Sequence, residues 1–69
     1  MTDQHSLTSD PAAWQPIATA PEGTAVDTCI DAGTPKQRNE QSLVRKGRLW
    51  FFTDMSMYVY YTPTHWRPL

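Results

Sequence analysis

The sequence is poor in most of the devices that hold very small domains together. One cysteine, Cys29, stands alone in 69 residues, so no internal disulfide can form. The two histidines, His5 and His65, lie far apart, and neither has a C-x-x-C or H-x-x-x-H companion, which excludes a structural zinc on ligand count. The apolar stretch Leu49-Trp50-Phe51-Phe52 is four residues long and no run exceeds five, against the roughly 18–20 residues that a membrane helix requires. The opening MTDQHSLTSD lacks the basic and apolar regions of a secretory signal, so a cytoplasmic location is expected. Signatures of phosphate loops, nucleophile elbows and zinc proteases are missing as well, and no cofactor is called for. A chain this short buries only roughly 60% of its unfolded surface, so it has room for one domain held by a few kcal/mol. That size excludes a multi-domain enzyme, a cofactor cleft between two lobes and a repeat array.

Charge is present but uneven. Residues 1–31 carry Asp3, Asp10, Glu22, Asp27 and Asp31 without a single lysine or arginine. Residues 32–48 then carry Lys36, Arg38, Arg45, Lys46 and Arg48 against Glu40. The net charge of −1 therefore hides an acidic first half and a basic middle. It is far too small for a protein that imitates DNA with a carboxylate-covered surface.

Proline and glycine punctuate the chain. Residues 1–9 are polar and aperiodic, the pattern of a disordered tail, and residues 10–69 form the single small β-rich domain. Ser9 or Asp10 can cap a short helical turn that opens at Pro11 and ends at Pro16, with Ile17 to Gly23 as loop. Thr24 to Asp31 alternates, Val26, Thr28 and Ile30 against Asp27, Cys29 and Asp31, which predicts a half-buried strand. Thr34-Pro35-Lys36-Gln37 fits a capping box, but Lys36 to Ser42 has no apolar face, so residues 34–42 read as a short helix or an exposed loop.

Seven of the eight aromatic residues lie between Trp50 and Trp66, so the core is expected there. Lys46-Gly47 reads as a two-residue hairpin turn that pairs Val44 with Leu49 and Leu43 with Trp50. A second turn at residues 53–56 would pair Phe52 with Met57, Phe51 with Tyr58 and Trp50 with Val59. The expected fold is α+β, mainly β: a small antiparallel sheet of three to four strands with one short N-terminal helical turn.

One pattern occurs twice. Trp14-Gln15-Pro16-Ile17 and Trp66-Arg67-Pro68-Leu69 share W-x-P-aliphatic, and proline rings stack well on the indole face. Trp14, Pro16, His65, Trp66 and Pro68 are accordingly expected as structural anchors that clamp the ends of the sheet. With the A-P-x-G-T run at Ala20–Thr24 and the closing P-T-H-W-x-P-L at Pro63–Leu69, this pattern resembles the "domain of unknown function 551" family. Those are short proteins of phages, prophages and other bacterial mobile elements. The resemblance spans Trp14 to Leu69 and departs from the family at Glu22 and Arg67, where Asp and Met are common. It implies a small β-rich domain of mobile-element origin acting inside a host cell, and it supplies no activity.

Chemistry is hard to build from these residues. Cys29 and His65, with Asp27 or Asp31, are the one conceivable nucleophile set, but Cys29 is placed mid-strand and no glycine-rich oxyanion loop accompanies it. Glu22, Asp27 and Asp31 alternate along a strand instead of wrapping an ion. No catalytic, cofactor-binding or metal-binding residues are therefore assigned. The expected surface for a partner is Arg45, Lys46, Arg48, Trp50, Tyr58 and Tyr60, since Trp, Tyr and Arg dominate interface energetics. The partner implied is a host protein or protein complex, with a CRISPR or restriction complex as an example. The competing expectation is nucleic acid, bound by the basic turn at 45–48 and stacked on the tyrosines. A third is a homo-oligomer joined along an unpaired edge strand at residues 24–31.

Overall fold

A computed structural model describes residues 13–69. Among the described residues the chain is mainly β, with five antiparallel strands and a single 3₁₀ turn at Ile17–Thr19. The strands are β1 (Gln15–Pro16), β2 (Ala25–Ile30), β3 (Arg38–Lys46), β4 (Leu49–Phe52) and β5 (His65–Pro68). They form one sheet in the order β1-β5-β2-β3-β4. The sheet thus exceeds the three to four strands expected. The proposed tail at 1–9 and most of the helical turn at 9–14 lie outside the described residues.

Strand β2 appears where the alternation placed it, but it is not an edge. It pairs with β3 on one side and with β5 on the other, so residues 24–31 offer no free edge to a second copy. The alternation also breaks. A register shift between Thr28 and Ile30 leaves both Thr28 and Cys29 fully buried, while Ile30 is half-exposed. Thr28 meets its buried polar requirement by donating its hydroxyl to the Gln41 carbonyl at 2.8 Å.

Residues 38–42 are strand, not helix or loop. The expected capping box closes a tight turn: the Thr34 hydroxyl donates to the Asp31 carbonyl at 2.8 Å and accepts the Lys36 N–H at 3.1 Å. Gln37 does reach back as a capping-box glutamine would, accepting the Gly33 N–H at 2.9 Å, but no helix follows. Arg38 instead opens β3 opposite Ile30.

The β3–β4 hairpin forms, with a register two residues from the expected one. Lys46 pairs with Leu49, Arg45 with Trp50, Val44 with Phe51 and Leu43 with Phe52, which leaves Gly47-Arg48 as the two-residue turn. Gly47 has φ +62° in the first central position, as a type II′ turn demands. Residues 57–61 do not make a full strand. Their expected pairing survives as one bridge between Phe51 and Tyr58, flanked by Phe52 N–H to Met57 O at 3.0 Å and Val59 N–H to Trp50 O at 2.8 Å.

The core occupies one face of the sheet. Val26, Leu43 and Trp50 project from it and meet Ala20 and Val59 from the covering loops, with Ile17, Tyr61 and Trp66 packed around them. The opposite face carries Asp27, Arg67 and Trp14. Arg67 donates to Asp27 and to Glu40, each at 2.9 Å, and its guanidinium carbon sits 4.2 Å from the Trp14 ring centre.

The two W-x-P segments bind each other. Gln15 pairs with Trp66 and Pro16 with His65, which joins β1 to β5. Trp66 fastens the 3₁₀ turn by donating its indole N–H to the Thr19 hydroxyl at 2.9 Å. Trp14 and Trp66 are half-buried, whereas Pro16 and Pro68 are exposed, so the clasp is made by the tryptophans and the backbone pairing.

Candidate functional site

The hairpin tip is built from its turn outward. Gly47 donates its N–H to the Glu22 carboxylate at 2.8 Å, and Gly23 donates to the Arg45 carbonyl at 3.0 Å. Arg45 completes the tie, donating through Nη1 to the Ala20 carbonyl at 2.9 Å and through Nε to the Gly47 carbonyl at 3.1 Å. Arg45 is thus engaged in holding the 20–23 loop on the hairpin. Arg48, three residues on, makes no hydrogen bond or ion pair among the described residues.

Around Arg48 lie two adjoining concavities that share Arg48, Trp50 and Thr62 as lining. One, of about 280 Å³, is completed by Ile17, Ala18, Arg45 and Gly47. The other, of about 190 Å³, runs along Leu49, Tyr58, Val59, Tyr60 and Tyr61. Both fall below the roughly 300–1,000 Å³ of pockets that enclose a small molecule. They are sized for side chains.

Of the expected contact residues, five line these concavities: Arg45, Arg48, Trp50, Tyr58 and Tyr60. They differ in availability. Trp50 is only 4% exposed and serves as a floor, because its ring belongs to the core. Tyr58 is 41% and Tyr60 86% exposed. Their rings meet edge-on with centroids 5.7 Å apart, and Tyr58 meets Phe51 in the same way at 5.8 Å. Lys46 lines neither concavity, although its cross-strand partner Leu49 lines the second. Ile17, Ala18 and Thr62 were not anticipated as lining. Only Ile17 carried a signal, as the aliphatic end of the first W-x-P element.

Two of the residues weighed for catalysis are brought together. Cys29 is the cross-strand partner of His65. Its thiol is fully buried, and burial, followed by the nearby Glu40 and Asp27 carboxylates, raises its pKa, the opposite of what a nucleophile needs. The Thr64 hydroxyl accepts the Asp31 N–H at 2.7 Å and shares a second hydrogen bond with His65 Nδ1, also at 2.7 Å. Each carboxylate weighed for a cation has another role: Asp27 pairs with Arg67, Asp31 with Arg38, and Glu22 holds Gly47. Among the described residues no group of three or more His, Cys, Asp or Glu could hold a metal ion. Nor is any helix long and apolar enough to cross a membrane.

Compared with protein-family models, curated proteins and solved structures, the chain matches none. The site is therefore read from its own geometry.

Proposed function

We propose that this chain is a non-enzymatic interaction module that binds a larger protein through the Arg48–Tyr58–Tyr60 surface. One observation carries the reading: two exposed tyrosines adjoin a guanidinium that has no partner among the described residues. The other arginines among the described residues are engaged: Arg38 on Asp31, Arg45 on backbone carbonyls, and Arg67 on Asp27 and Glu40. Tyrosine and arginine left free beside side-chain-sized hollows are what a protein interface uses for its anchors. The resemblance of the W-x-P elements to a mobile-element family supports a partner in a host cell, and an antagonist of a CRISPR or restriction complex fits that size and origin.

A second reading is nucleic-acid binding, favoured by the same tyrosines beside Arg48 and Lys46, since bases stack on exposed aromatic rings. The two separate in one experiment. A tagged chain is used to capture partners from host lysate, with and without nuclease, beside Tyr58→Ala, Tyr60→Ala and Arg48→Ala. A partner retained after nuclease and lost in those variants supports the protein reading. Loss on nuclease treatment, or retention by all three variants, overturns it.

A further inference from the structure

We infer that the two concavities astride Arg48 form one groove for an acidic segment of a protein partner, with a carboxylate on Arg48 and an apolar side chain in each hollow. This rests on the interaction reading above and names the chemistry that the site selects. The groove has an apolar wall on either side of one charge. Ile17 and Ala18 stand on the first side, and Leu49, Tyr58 and Tyr60 on the second, with Trp50 as the common floor. Arg48 and Thr62 form the divide. An arginine fork donates two parallel hydrogen bonds to a carboxylate, and Thr62, which lines both hollows, carries a hydroxyl that can donate to a further acceptor.

Charge complementarity selects a carboxylate over a phosphate chain. A polyanion is held by a track of cations, each neutralising one phosphate. Here the track is one residue long. Arg45 is engaged by two backbone carbonyls, Lys46 lines neither hollow, and the Glu22 carboxylate sits against the same turn. At the other end of the sheet, Arg38 and Arg67 are already neutralised by acidic side chains. With a net charge of −1, the chain has no general pull on nucleic acid, while a single carboxylate is matched by a single free guanidinium.

The test is selection of a random dodecapeptide display library on the full chain, followed by binding of the synthetic consensus peptide. The expected consensus holds Asp or Glu between apolar or aromatic residues. Arg48→Glu should weaken the consensus peptide about tenfold or more, as should Asp→Asn or Glu→Gln in the peptide itself. The melting temperature of Arg48→Glu should stay close to the parent's, because the side chain makes no hydrogen bond or ion pair among the described residues. Enriched peptides without an acid, or equal binding by Arg48→Glu, overturn the inference. So does tighter binding of a labelled dT20 oligonucleotide that fades steeply with salt. Non-acidic peptides whose binding still needs Tyr58 and Tyr60 would remove this inference and leave the interaction reading standing. No enrichment, together with no tyrosine-dependent capture from lysate, would remove both.

Discussion

Arg45 and Arg48 stand three residues apart on one hairpin, and alanine should separate them sharply. Arg45 donates to the Ala20 carbonyl in a partly buried setting and to the Gly47 carbonyl in an exposed one. A charged donor to a partly buried carbonyl is worth about 1.5 kcal/mol, and the exposed bond adds about 0.5 kcal/mol. Arg45→Ala should therefore cost about 2 kcal/mol, a large share of what so small a core supplies. In a domain of this size that lowers the melting temperature by roughly 8–16 °C. Arg48→Ala removes no hydrogen bond or ion pair and should stay within about 0.5 kcal/mol of the parent. Thermal unfolding followed by tryptophan fluorescence measures both. If the two variants melt together, or if Arg48→Ala is the weaker, the division into a structural and a free arginine is wrong.

Two further outcomes follow from the turn and the thiol. Gly47→Ala meets no atom within 4 Å of the added Cβ, so its cost is the positive φ alone, about 1–2 kcal/mol, read as a lower urea midpoint at unchanged slope. An unmoved midpoint would contradict the left-handed conformation assigned to that turn. Cys29 should resist a disulfide reagent in the native chain and react once urea unfolds it. Because burial, Glu40 and Asp27 raise its pKa in the fold, the thiol ionises more readily in the unfolded chain. Its contribution to stability is therefore complete below the ordinary thiol range and declines as pH rises through it. In Cys29→Ala that alkaline decline should flatten, and a decline of the same size in both proteins would refute the assignment.

The hairpin shows why part of this fold was readable from sequence and part was not. Alternation puts Leu43 and Trp50 on the same face, and that is where they lie. A slip of one residue would have sent Trp50 to the other side, whereas a slip of two leaves every side chain on its proper face. Apolar patterning cannot distinguish the expected register from the observed one. Only the turn decides, and it does so by placing Gly47 first, not second, between the strands. The same blindness hid residues 38–42, a polar stretch of strand held by backbone pairing to β2 and carrying no alternation of its own. At the candidate site, what residue type and neighbourhood could suggest was that Arg48, Tyr58 and Tyr60 lie close together, and they line one hollow. The structural use of Arg45 was not legible, because it depends on a carbonyl 25 residues earlier in the chain.

Strand β5, last in chain order, occupies an interior place in the sheet between β1 and β2. During vectorial synthesis β2, β3 and β4 can assemble as each leaves the ribosome, but β1 must wait, since β5 is its sheet neighbour. Until residues 65–68 emerge, one side of β2 stays open to any passing strand, including that of a sister chain on the same polysome. The closing tryptophan is thus a latch that shuts late, and until it shuts the unpaired side of β2 is a route to aggregation.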